Sequence, residues 1–204
     1  MRTGMPVRSD KGGRKMNILI AGVGGQGTLL TSKVLGRYAE LCGKDCKLSE
    51  VHGMSQRGGS VTTHVRIGDK VHSPVIWPGG ADMIIAFEVL EAARVKHFLK
   101  PDGILLVNDV RILPMPCITG AVAYPEGIKE KLLEQINGAF FIDAAAIAEE
   151  AGNVKSANVV MLGALCKLFG FDKEKMAQAV ADCVPEKFKE LNLRAFELGY
   201  ERVR

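Results

Sequence analysis

The chain first becomes continuously apolar at "MNILIAGV" (Met16 to Val23), where hydrophobic residues serve both faces before glycines close the run. A half-exposed strand alternates, so an unbroken run of this length predicts a parallel strand buried on both sides. From Thr28 to Leu41 the period changes. Leu30, Val34, Tyr38 and Leu41 fall on one helical stripe, and Gly43 follows as a stop. "CKLSEV" then reads as a second strand. "SVTTHVRI" (Ser60 to Ile67) is β-branched and alternating, a third strand, with Gly68-Asp69 predicting a hairpin turn into "KVHSPVI".

The rhythm continues with strand "ADMIIAFE" and helix "VLEAARVKHFL", then a Pro101-Asp102-Gly103 turn into strand "ILLVND". "CITGAVAY" is expected to add a strand, "PEGIKEKLLEQI" a helix with Pro125 near its start, "AFFIDA" a strand and "AAAIAEEAG" a helix ending at Gly152. Residues 156–200 carry helical patterns only, broken at Gly170 and before Pro185. This alternation predicts an α/β fold: one Rossmann-like domain with a mostly parallel sheet, a hairpin-like insert and a helical C-terminus.

Composition narrows the picture. A length of 204 residues suits one well-packed domain, with 47% hydrophobic and 25% charged residues as in ordinary globular chains. Residues 1–15 hold five Lys/Arg and one Asp. They are expected to form a disordered basic tail, leaving residues 16–204 as the domain. The net charge of +4 therefore leaves a nearly neutral domain, which argues against nucleic acid as partner. The tail lacks the apolar core of a secretory signal, and no apolar run reaches bilayer-spanning length. Cys42, Cys46, Cys117, Cys166 and Cys183 form no C-x-x-C pair, the pattern of reduced thiols in a cytoplasmic protein.

Two loops carry the candidate chemistry. In the first, Gly22, Gly24, Gly25, Gln26 and Gly27 fit G-x-G-x-x-G between a strand and a helix. Amides at the helix start, reinforced by its dipole, favour an anion there, and Gln26 offers an amide donor. Glu50, at the end of the second strand, lies about where a ribose-binding acid would sit. On these residues alone a nicotinamide dinucleotide remains one reading, and a tight βα turn another.

The second loop, "HGMSQRGGS", is not needed by a dinucleotide site. Ser55 and Gln56 offer neutral donors, Arg57 a planar fork for phosphate or carboxylate, and Gly58 and Gly59 close backbone approach. Following the second strand, this loop is expected at the carboxyl edge of the sheet, beside the first.

"GVGGQG", "EVHGMSQRGGSV", "NVVMLGAL" (Asn158 to Leu165) and "VPEKFKELNLRAFELGY" (Val184 to Tyr200) together resemble the gamma-type domain of 2-oxoacid:ferredoxin oxidoreductases, nearest the branch acting on indolepyruvate. The resemblance spans residues 16–200 in order. It implies a small subunit that completes the active site of a large alpha subunit. That partner would carry thiamine diphosphate and iron–sulfur clusters, with coenzyme A as co-substrate and ferredoxin as electron acceptor. No cofactor would be bound by this chain alone.

The remaining residues agree with that division of labour. Cys42 and Cys46 are spaced C-x3-C with no nearby third thiol, unlike a cluster motif, and the four histidines show no metal-ligand spacing. There is no nucleophile elbow. Glu88 either faces the crevice or interacts with the start of the following helix, and His64 and His97 read as structural or exposed. Two other functions stay open on residues alone: an NAD-dependent oxidoreductase built on the first loop, and a non-enzymatic nucleotide-binding module.

Overall fold

The computed structural model describes residues 15–52 and 59–203; the expectation of a disordered tail over residues 1–14 lies outside them. Among the described residues six strands form one sheet in the order β2-β3-β1-β4-β5-β6. They are β1 (Met16–Val23), β2 (Asp45–His52), β3 (Ser60–Gly68), β4 (Ala81–Ala86), β5 (Leu99–Asn108) and β6 (Ala139–Ile142). β1, β4, β5 and β6 run parallel, while β3 lies antiparallel between β1 and β2.

Eight α-helices flank the sheet among the described residues. They are α1 (Thr28–Leu41), α2 (Val89–Val95), α3 (Met115–Ile118), α4 (Ile128–Gln135), α5 (Ala144–Ala151), α6 (Ala157–Phe169), α7 (Lys173–Cys183) and α8 (Lys189–Arg202). The two-residue period of the strands divides the core. Ile18, Ile20, Met83, Ile85 and Leu106 point to α1 and to α5 through α8. Leu19, Ala21, Ile84, Leu105 and Val107 point to α2 and α4. The apolar run of β1 is thus explained: it is central, and both of its faces are covered.

α6 is buried almost all round because α8 crosses it backbone to backbone. A Cβ on Gly163 would lie 2.1 Å from the Phe196 carbonyl oxygen, and one on Gly199 would lie 2.1 Å from that of Val160. Two glycines on facing helices permit this contact, and no larger residue fits either position without moving a helix.

Three local expectations need correction. β3 forms its hairpin backwards with β2, not forwards with "KVHSPVI". Pro74 removes a donor from that segment. The Arg66 guanidinium donates instead to the Ser73 and Val75 carbonyls, at 2.9 and 3.2 Å. "CITGAVAY" adds no strand: Pro114 and Pro116 start the short helix α3, and a turn follows. Pro101-Asp102-Gly103 does not precede β5 but bulges within it, where the pairing with β4 jumps from Ala81–Leu99 to Met83–Ile104.

Candidate functional site

The carboxyl ends of β1, β4 and β5 meet at one edge, and the first glycine loop crosses it. Gly25 and Gly27 have φ of +104° and +83°, conformations that L side chains rarely adopt. Gly27 caps α1 without a side chain, so the amides of the first turn carry no side-chain cap. Gly22 fits for a different reason: it lies against Phe87, where a Cβ would come within 3.2 Å of the Phe87 Cβ. Gly24 donates its amide to the Gly59 carbonyl at 2.9 Å.

That last bond joins the two loops. β2 and β1 run in the same direction with β3 between them, so both ends of the second loop, His52 and Gly59, sit at the same edge as the first loop. Ser55, Gln56, Arg57 and Gly58 lie outside the described residues. Gly59 is described, and its carbonyl is the point of contact.

Gln26 departs from the role expected of it. Its Oε1 accepts from the Val23 amide at 2.7 Å, and its Nε2 donates to the Phe87 carbonyl at 2.9 Å. The side chain pins the loop to the end of β4. Asn108 Nδ2 donates to the same carbonyl at 3.3 Å, while its Oδ1 accepts from Ala144 at the start of α5. Phe87 therefore gathers the ends of β1, β4 and β5 into one rim.

Glu88 resolves as the cap of α2. Its Oε2 accepts from the Glu91 amide at 2.9 Å, and its Oε1 accepts from the Tyr124 hydroxyl at 2.6 Å and the Ile112 amide at 3.2 Å. Burial and the Glu88 carboxylate push the Tyr124 phenol up, so it stays protonated as a donor. Glu91 is also buried. It accepts from Ser60 Oγ and from Arg94 Nη1, and burial raises its carboxyl above the usual range. Ser60, Glu91 and Tyr124 were not singled out by the sequence, because the contacts join residues about 30 positions apart.

Glu50 is not placed to read a ribose on the first loop. A dinucleotide fold puts the strand bearing that acid next to β1. Here β3 intervenes, and exposed Glu50 accepts a long 3.4 Å bond from Thr63. His64 is structural: its Nδ1 accepts from the Ile76 amide at 3.1 Å, and burial depresses its pKa.

The donor set does not fit an iron–sulfur cluster. Among the described residues no three His, Cys, Asp or Glu side chains gather around a possible metal position. Burial pushes the Cys46 thiol up to about 11 and Cys166 up to about 12, away from the thiolate form that ligation needs. No helix of the described residues is long and apolar enough to cross a membrane.

A family model described as pyruvate ferredoxin/flavodoxin oxidoreductase matches residues 17–202. The chain belongs to this family. It is 42% identical to indolepyruvate oxidoreductase subunit IorB of Pyrococcus horikoshii, over 91% of this chain and 95% of that one. Among solved structures it is similar to the keto/oxoacid ferredoxin oxidoreductase gamma subunit of Geobacter sulfurreducens, with TM-score 0.69 and 28% identity over 92% of this chain and 97% of that one. The 2-oxoglutarate:ferredoxin oxidoreductase of Magnetococcus marinus, solved with 2-oxoglutarate, coenzyme A and succinyl-CoA, shares the fold at TM-score 0.71 and 20% identity. That match covers 94% of this chain and 32% of the longer one. The chain is a small subunit of the 2-oxoacid:ferredoxin oxidoreductase type.

Proposed function

We propose that this subunit serves the oxidative decarboxylation of an arylpyruvate, indolepyruvate foremost, and that its two-loop edge faces the active site of a large partner subunit. The observation that carries this reading is the Gly24–Gly59 hydrogen bond, which ties the first glycine loop to the residue that ends the second. The name of the Pyrococcus relative supports the substrate, and the coenzyme A in the Magnetococcus structure supports the co-substrate. The chain lies within the cytoplasm in this reading.

Thiamine diphosphate on the partner supplies the decarboxylation chemistry, and iron–sulfur clusters there carry the electrons to ferredoxin. The present chain binds and orients. The uncapped first turn of α1 presents amides to a phosphate of coenzyme A. Gly24 and Gly25 keep that approach free of side chains, while Gly27 makes room for the Asn158 side chain. Ser55, Gln56 and Arg57 supply donors from the second loop, and Gly58 and Gly59 let its backbone come close. Gly22 and Gln26 hold the first loop in place.

Kinetics of the assembled complex test the reading. Arg57→Ala removes a charge-assisted hydrogen bond worth roughly 1.5–3 kcal/mol, so kcat/KM for coenzyme A or the 2-oxoacid falls by about 10- to 150-fold. Arg57→Lys rescues only in part, because the planar fork is lost. Unchanged kinetics in Arg57→Ala would remove this residue from the site.

A further inference from the structure

The buried carboxylate of Glu91 has no place in the function described so far. It is only 3% exposed, yet it neither caps its helix nor joins the apolar core. A carboxylate is costly to bury and persists where donors hold it. Here Ser60 Oγ donates to Oε2 at 2.5 Å, and Arg94 Nη1 donates to Oε1 at 3.0 Å. Arg94 lies on the same helix. Ser60 does not: it is the first residue of β3, pairs with Val23 at the end of β1, and follows Gly59 directly.

A short path therefore runs from α2 to both loops. Glu91 holds Ser60; the neighbouring Gly59 carbonyl holds the Gly24 amide at 2.9 Å. The far end is anchored as well. Glu88 caps the Glu91 amide and takes the Tyr124 hydroxyl and the Ile112 amide, so the start of α2 cannot shift without breaking these bonds. Arg111 lies over the Tyr124 ring at 5.7 Å. An alanine at 91 would leave the hydroxyl of Ser60 and a guanidinium arm of Arg94 without their acceptor.

We propose that Glu91 is a positioning residue for the two-loop edge: by holding Ser60 it sets where the Gly59 carbonyl stands, and through it the Gly24 amide of the first loop. This rests on the reading that the edge faces coenzyme A and the partner's site. Glu91 touches neither; it acts through Ser60.

Two measurements on the same variants separate the proposal from that reading. The first follows amide hydrogen exchange at Gly24 by NMR in the full chain. Ser60→Ala and Glu91→Ala each speed it on the order of 10-fold, the loss expected for one hydrogen bond of ordinary strength. The double variant is no faster than either single, because both remove one tie. Glu91→Gln restores most of the protection, since its amide still accepts one bond and donates another. The second measurement uses the assembled complex: the alanine variants raise KM for coenzyme A on the order of 10-fold and change kcat less. Ser60→Ala carries the test should Glu91→Ala fold poorly. Unchanged exchange at Gly24, or effects of the two alanines that multiply as independent changes, would overturn the proposal. Faster exchange with KM for coenzyme A unmoved, in these variants and in Arg57→Ala alike, would support the tie and overturn the reading of the edge.

Discussion

The carboxamide of Asn158 on α6 lies against Gly27 at the start of α1, so close that a Cβ on Gly27 would stand 2.5 Å from its Nδ2. Two of the motifs that mark the family, "GVGGQG" and "NVVMLGAL", thus meet in space. Gly27 also has φ of +83°. Gly27→Ala therefore incurs both backbone strain and a clash, a loss of about 1–3 kcal/mol. Asn158→Ala removes the carboxamide contacts but keeps its own Cβ 3.1 Å away and leaves the strain, so urea unfolding of the double variant should show partial recovery relative to the sum of the single effects.

Gln26→Glu tests whether that side chain is a structural pin. The change keeps an oxygen for the Val23 amide but sets a second one against the Phe87 carbonyl, 2.9 Å from the present Nε2. An acceptor facing an acceptor should destabilise the chain by about 1–3 kcal/mol in urea titrations. A ligand-facing Gln26 would leave stability unchanged.

Gly163→Ala drives a methyl group into the Phe196 carbonyl on α8. Overpacking of this kind costs about 1–3 kcal/mol or more. Thermal melts should show a clear loss, and Gly199→Ala a similar one through Val160.

His64 gives stability a pH dependence of definite sign. Its Nδ1 accepts from the Ile76 amide and so must be unprotonated, and burial lowers its pKa in the folded chain. A depressed folded pKa contributes stability that is present above the unfolded value, about 6.5, and is lost as pH falls through the folded value. Denaturation midpoints should decline below about pH 6.5, and His64→Leu should flatten that decline.

Local pattern made much of this fold legible. The stripe of Leu30, Val34, Tyr38 and Leu41 marks α1 at its observed bounds, and the unbroken apolar run of β1 announces a strand covered on both faces. Pairing was harder, because it depends on which strand is near in space. β3 turns back on β2, and Arg66 occupies the carbonyls that a forward hairpin would need. In "CITGAVAY" the β-prone residues suggested a strand, but Pro114 and Pro116 set the backbone. At the site, position after a strand was enough to put both ends of the second loop at the edge of the first. Gln26 looked like a free donor because nothing in the sequence shows Phe87 beside it. The Ser60–Glu91 tie joins residues 31 apart and has no sequence signature.

The proposed function requires this chain to complete an active site carried on a partner subunit. The direct measurement is indolepyruvate-dependent reduction of a viologen dye with coenzyme A present, using this chain alone, the proposed large partner subunit alone, and the two assembled. The chain alone should be inactive, and full turnover should require both. Dye reduction by the isolated chain, or full turnover by the partner without it, would overturn the proposed function.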